Sequence, residues 1–108
     1  MKSTVPREFW AWAIEQVKKE YPNILFIAEV YNPHLYRDYL AAGFDYLYDK
    51  VGMYDYLRGV TSKNWAAEGI TMQWQSVDDI RDRMLYFLEN HDEQRIASGF
   101  FCGRGICA

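Results

Sequence analysis

Cysteine, excess basic charge and long apolar runs are all scarce in this sequence. The two cysteines, Cys102 and Cys107, lack the second pair of ligands that a zinc site needs, so we expect free thiols. Twelve basic residues against fifteen acidic ones give a formal net charge of −3, which provides no electrostatic footprint for nucleic acid or an anionic membrane surface. No apolar run approaches the roughly 20 residues of a membrane span. We therefore expect neither nucleic acid nor a membrane as a partner.

The rest of the composition is typical of a globular protein of one domain at most. Of the 108 residues, 50% are hydrophobic and 25% are charged. Aromatic residues make up 18% of the chain. They could form platforms for sugar stacking, but Tyr and Trp bury large areas wherever they lie, so we prefer core and interface packing as their role.

Hydrophobic periodicity predicts a helix followed by a buried strand at the start of the chain. Ser3 or Thr4 is the expected N-cap of the helix, Pro6 lies in its first turn, and Pro22 ends it. Residues 24–28 then form a continuous apolar run, which is typical of a strand buried on both faces in a parallel sheet. This strand leads directly into Glu29.

The same pattern of helix and strand continues along the chain. A helix is predicted from Asn32 to Gly43, a strand over residues 44–48 and a helix over 51–60. Residues 61–75 indicate a loop with one short helix. Ser76 and the acidic residues after it begin a further helix, and residues 84–88 form a third strand.

Alternating helices and strands predict an α/β fold with a parallel sheet. Right-handed crossovers bring the carboxyl ends of all the strands to one edge of such a sheet. Glu29, Asp49 and Asp92 follow the predicted strands, so we expect them at this edge. In α/β folds this is the edge that binds ligands.

Two stretches at this edge carry chemical groups. Glu29 is a lone carboxyl group after an apolar run, where desolvation would favour its protonated form and suit it to general acid catalysis. Glu89, Asn90, His91 and Asp92 follow one another directly after the third predicted strand. Each has a structural alternative, since a strand-end acid can cap a helix or pair with arginine, and His91 can be a satisfied loop histidine.

Together these stretches resemble the α-amylase family of glycoside hydrolases. Residues 26–31 resemble the family's fifth-strand segment with its acid/base glutamate, and residues 87–92 resemble the seventh-strand segment that ends in Asn-His-Asp. Residues 5–10 resemble the helix after the fourth strand in some bacterial members. The resemblance spans roughly residues 5–101, and it departs from the family at Ala28, where many members have glycine.

The resemblance implies that residues 1–108 are a fragment of a catalytic (β/α)8 TIM barrel, covering about its fifth to seventh strands. By position, Glu29 matches the acid/base, Asp92 the carboxylate that stabilises the transition state, and His91 and Asn90 its substrate-binding neighbours. Asp49 is a further candidate for a substrate contact. The family's nucleophile is an aspartate at the end of the fourth strand, and residues 1–5 contain no counterpart. We therefore expect the isolated chain to be inactive.

The implied function is that of a retaining α-glycosidase acting on α-glucans or malto-oligosaccharides. One alternative is a non-catalytic carbohydrate-binding or scaffold protein with an amylase-like barrel. Another is a small independent α/β domain. We expect no metal and no cofactor in this segment, while the family's calcium ligands lie mostly outside it, so calcium binding by the whole protein stays open.

Overall fold

The computed structural model describes residues 5–98, and its first helix, α1, spans Arg7–Glu20. Pro6 occupies the N-cap position with φ −61°, close to the value that the proline ring imposes. The predicted caps Ser3 and Thr4 lie outside the described residues. Ile14, in the middle of the apolar face of α1, is only 3% exposed, so this face packs against the rest of the chain.

The second helix forms at the predicted signals. A 3₁₀ turn at Pro33–Leu35 leads into α2, which spans Tyr36–Ala42. The Asn32 side chain accepts a hydrogen bond of 3.1 Å from the backbone N–H of His34 and so caps the turn. Gly43 ends the helix with φ 119°, in the left-handed region that favours glycine.

Three short parallel strands form one sheet in the order β1-β2-β3. They are β1 at Ile27–Glu29, β2 at Tyr46–Tyr48 and β3 at Met84–Leu85. The register pairs Glu29 with Tyr48, and Tyr48 with Leu85. The predicted α/β fold with a parallel sheet is thus confirmed, although every strand is shorter than the apolar run that predicted it.

Helical elements fill most of the chain between β2 and β3. A π-helical turn at Lys50–Tyr54 continues into α3 at Asp55–Ser62. The short helix expected between residues 61 and 75 is α4, at Gly69–Ser76. The prediction that Ser76 begins the next helix is wrong, because Ser76 is the last residue of α4 and a 3₁₀ helix follows at Asp78–Arg83 with Val77 as its N-cap. None of the helices in residues 5–98 combines the length and apolar character needed to cross a membrane.

The prediction that the first strand is buried on both faces is wrong. Ala28 and Val30 are 7% and 6% exposed, whereas Ile27 is 48% exposed and Leu25 61%. Side chains alternate between the two faces of a strand, and only the face with Ala28 joins the core in the described part of the chain. The buried members of this core come from helices, strands and the residues that connect them: Ile14, Ala28, Val30, Tyr36, Phe44, Leu47, Val77 and Met84.

Asp45 connects α1 with the beginnings of β1 and β2. Its carboxylate accepts hydrogen bonds from the backbone N–H of Phe26 at 2.9 Å and from Lys18 Nζ at 3.1 Å. Desolvation acts to raise the pKa of Asp45, but the bonds from Phe26 and Lys18 outweigh it and leave the pKa lowered. The ionised carboxylate therefore fixes the end of the sheet that lies opposite the candidate site.

Candidate active site

Glu29 ends β1 with an exposed side chain. Its Oε1 accepts a hydrogen bond of 2.9 Å from the hydroxyl group of Tyr31, two residues further on. It also lines an open cleft beside β1, with an empty volume of about 600 Å³. The burial expected for Glu29 is not found in this chain: its side chain is exposed, and Ile27 on the same face of β1 is 48% exposed.

Asp49 follows β2 and is almost completely buried, with 1% of its surface exposed. Its Oδ1 accepts a hydrogen bond of 3.0 Å from the hydroxyl group of Tyr36, and a Cβ added to Gly52 would approach the same oxygen to 2.3 Å. Burial and the charge of Asp49 raise the pKa of Tyr36, so this phenol stays a donor. These contacts favour a structural role for Asp49 over the substrate contact that the sequence suggested.

Asn90, His91 and Asp92 form a turn after β3 in which Asn90 is half-buried and His91 and Asp92 are exposed. The Asn90 side chain accepts a hydrogen bond of 3.0 Å from the backbone N–H of Asp92. His91 Nε2 lies 3.3 Å from Asp92 Oδ2, and the two side chains are 78% and 60% exposed. Asp92 thus presents its carboxylate to solvent beside an imidazole.

The side chain of Tyr31 responds to both candidate catalytic carboxylates. The pKa of Tyr31 is raised, first by its hydrogen bond to Glu29, and further by partial desolvation and by the negative charges of Glu29 and Asp92. Lys50 acts in the opposite direction, with its Nζ 5.8 Å from the centre of the Tyr31 ring. Glu29, Tyr31 and Lys50 are thus neighbours at this edge of the sheet, and Asp92 lies in the turn after β3 at the same edge.

Sequence reasoning missed three residues of this region. Tyr31 had a usable signal, since residues i and i+2 on an extended segment point to the same face, which places it beside Glu29. Lys50 and Glu93 gave no local signal, because they meet only in the folded chain, with Lys50 Nζ 3.6 Å from Glu93 Oε1.

This arrangement offers carboxylates, a phenol and an imidazole at one edge of a parallel sheet, which is a set suited to proton transfer and to binding hydroxyl groups. Residues 5–98 contain no group of three or more His, Cys, Asp or Glu side chains that could hold a metal ion. Cys102 and Cys107 lie outside the described residues. Comparisons with protein-family models, curated proteins and solved structures give no match to this chain.

Proposed function

We propose that this chain is part of the catalytic barrel of a retaining α-glycosidase that acts on α-glucans or malto-oligosaccharides. The observation that carries the proposal is the placement of Glu29 at the end of β1 and of Asp92 in the turn after β3, at the carboxyl edge of one parallel sheet. Retaining glycosidases pair an acid/base with a nucleophile at one site, and we assign the acid/base to Glu29 and the nucleophile to a neighbouring strand of the whole protein. The resemblance of residues 26–31 and 87–92 to the α-amylase family supplies the reaction class.

The order of the strands supports the barrel. In a (β/α)8 barrel, consecutive strands are parallel neighbours, and β1, β2 and β3 follow this order. The cleft beside β1 is lined by Val5, Trp10 and Ala28 in addition to Glu29. A strand joined to β1 through α1 by a right-handed crossover would lie on this side of β1. We place the proposed nucleophile on such a strand in the whole protein.

Each residue of the exposed edge then has a role. Glu29 protonates the leaving oxygen and later activates water, and the Tyr31 hydroxyl group orients it through their hydrogen bond. Asp92 stabilises positive charge that develops on the sugar, with His91 and Asn90 beside it. Asp49 instead holds the turn after β2 from inside the core.

The proposed role of Glu29 requires an environment in the whole protein that is less exposed than the one in this chain. A general acid that works near neutral pH needs desolvation or a neighbouring negative charge. In the proposed barrel, the exposed face of β1 with Ile27 packs inside the barrel, and substrate covers Glu29. The barrel and the substrate together then shield the acid from water.

The proposal is tested in a full-length protein that contains these residues. Glu29→Gln should lower kcat/KM by about 10²–10⁴-fold on a plain malto-oligosaccharide, but by much less on an aryl maltoside, whose leaving group needs less protonation. Asp92→Asn should lower it by about 10²–10³-fold on both substrates, because it removes transition-state stabilisation whatever group departs.

Glu20→Gln is the matched control, because Glu20 is an exposed glutamate at the end of α1, and it should leave both rates unchanged. An equal loss on both substrates in Glu29→Gln would show that Glu29 is not the acid. Sugar binding without turnover by the wild-type protein would favour the non-catalytic alternative. The 108-residue chain alone should not turn over either substrate, since it contains no counterpart of the nucleophile.

A further inference from the structure

Glu93 differs from its neighbours in the turn after β3. Its side chain is only 13% exposed, whereas those of Asp92 and His91 are 60% and 78% exposed. The residue directly after a candidate catalytic carboxylate therefore points into the protein. A carboxylate that is buried to this extent requires charged or hydrogen-bonding partners, because desolvation without them is costly.

Three donors from the segment after β2 surround Glu93. Arg58 Nη1 lies 3.4 Å from Oε2, Lys50 Nζ lies 3.6 Å from Oε1, and the Tyr54 hydroxyl group donates to Oε2 at 3.3 Å. Lys50 and Tyr54 belong to the π-helical turn, and Arg58 belongs to α3. Glu93 thus anchors the turn after β3 to the segment after β2.

Phe87 supports the same junction from the apolar side. Its ring stacks on Tyr54 with centroids 4.8 Å apart and meets Tyr48 edge-on at 5.6 Å. The polar contacts of Glu93 and the ring contacts of Phe87 therefore meet on Tyr54. The turn that carries Asp92 lies between these two attachments.

Lys50 extends the connection to Glu29. Its ammonium group is also 3.1 Å from Asp55 Oδ1, and it lies over the ring of Tyr31, whose hydroxyl group bonds Glu29. Desolvation acts to lower the pKa of Lys50, but Asp55 and Glu93 outweigh it and raise the pKa, so Lys50 stays charged. A continuous set of contacts thus leads from Glu93 through Lys50 and Tyr31 to Glu29.

We infer that Glu93 is a positioning residue that, through Lys50 and Arg58, holds Asp92 in place relative to Glu29. The catalytic part of this inference rests on the proposed glycosidase function. The anchoring part does not, because it concerns only how the turn after β3 is attached. Glu93 itself contacts no candidate substrate group and acts through the residue before it.

The first measurement is hydrogen exchange on the 108-residue chain, which requires no activity. Glu93→Gln keeps the size of the side chain but removes its charge, so amides of residues 90–96 should exchange several-fold faster, while those of α1 should not change. Glu20→Gln is the control and should alter neither region. Unchanged exchange of residues 90–96 in Glu93→Gln would overturn the anchoring, whatever reaction the whole protein performs.

The second measurement is steady-state kinetics on the full-length protein. Small displacements of a catalytic group are costly, so Glu93→Gln should lower kcat by about 10–100-fold, by the same factor on aryl maltoside and malto-oligosaccharide, with KM nearly unchanged. Lys50→Gln added to Glu93→Gln should cause little further loss, because both act through one connection. If Glu93→Gln does not fold, Glu93→Asp, which keeps the charge on a shorter side chain, takes its place.

The two measurements separate the two proposals. Faster exchange with an unchanged kcat would refute positioning and leave Glu93 a structural anchor. A wild-type protein without glycosidase activity would refute the proposed function and the catalytic part of this inference, while the exchange result would still decide the anchoring. Faster exchange together with the uniform loss of kcat supports the whole inference.

Discussion

The ends of β1 and β2 make a direct comparison within this molecule. Each strand leads into a carboxylate, Glu29 or Asp49, and each carboxylate accepts a hydrogen bond from a tyrosine hydroxyl group, at 2.9 Å from Tyr31 and 3.0 Å from Tyr36. Yet Asp49 and Tyr36 are each 1% exposed, while Tyr31 is 51% exposed and Glu29 is exposed as well. The same pair of groups therefore occurs once inside the protein and once at its surface.

The difference follows from the position of the two strands in the sheet. β2 lies between β1 and β3, and the helical elements after it fold back over its end, with Tyr54 N–H donating to the Asp49 carbonyl group at 3.1 Å. β1 is an edge strand of the described sheet, and its outer face is open. Burial makes the Tyr36–Asp49 pair a structural anchor, whereas the exposed Tyr31–Glu29 pair stays accessible to a ligand.

Removing the hydroxyl groups of Tyr36 and Tyr31 should lower the free energy of unfolding by very different amounts. Tyr36→Phe leaves the buried Asp49 carboxylate without its phenol donor, which should lower the free energy of unfolding by about 2–3 kcal/mol. Tyr31→Phe removes an exposed hydrogen bond and should change it by less than about 0.5 kcal/mol. Denaturant unfolding of both variants measures the contrast, and equal costs would contradict it.

The pH dependence of stability distinguishes the hydroxyl group of Tyr36 from ring packing. The pKa of Tyr36 is raised by burial and by Asp49, so the folded chain keeps this proton at a pH where the unfolded chain has lost it. The contribution of the Tyr36 hydroxyl group to the free energy of unfolding is complete below the ordinary tyrosine pKa of about 10 and decreases as the pH rises above it. The corresponding loss of stability above pH ~10 should be smaller in Tyr36→Phe.

A methyl group on Gly52 should disturb the buried pair by a smaller amount. A Cβ at this position would lie 2.3 Å from Asp49 Oδ1, so the carboxylate or the π-helical turn must move. Gly52→Ala should therefore cost about 1–2 kcal/mol. In an Asp49→Ala background, Gly52→Ala should lower the free energy of unfolding by much less. If the loss were the same in both backgrounds, the added methyl group would clash with an atom other than Asp49 Oδ1.

Much of the fold could be predicted because its signals are local. Asn32, Pro33 and Gly43 mark the bounds of one helix through capping and the left-handed conformation, and they act there as predicted. The burial of β1 could not be predicted in this way. An apolar run reports which residues prefer to be buried, whereas the cover over each face comes from elements far away in the sequence.

In the candidate site, too, only the features that follow from the order of the elements could be predicted. The parallel order predicts that Glu29 and the turn at Asp92 share one edge, which follows from chain topology alone. The burial of Asp49 could not be predicted, because it depends on Tyr36 and Gly52, which reach it from α2 and from the π-helical turn. An acid at the end of an apolar run is therefore a reliable marker of the edge but not of its chemical environment.

The smallest effect that we predict is a change in the pKa of Tyr31, which reports on the exposed Tyr31–Glu29 pair in the 108-residue chain. The pKa of Tyr31 is raised chiefly by its hydrogen bond to Glu29, and to a smaller extent by the charge of Asp92. Glu29→Gln should therefore lower this pKa most, and Asp92→Asn should lower it by less, because a neutral amide no longer favours the protonated phenol. Glu20→Gln, at the exposed end of α1, should leave it unchanged. Titration of ¹³Cζ-labelled tyrosine by NMR follows the phenol in each variant, and Tyr31→Phe assigns its resonance. A Tyr31 pKa that does not respond to Asp92→Asn would show that the turn after β3 lies too far from Glu29 for the two carboxylates to form one site.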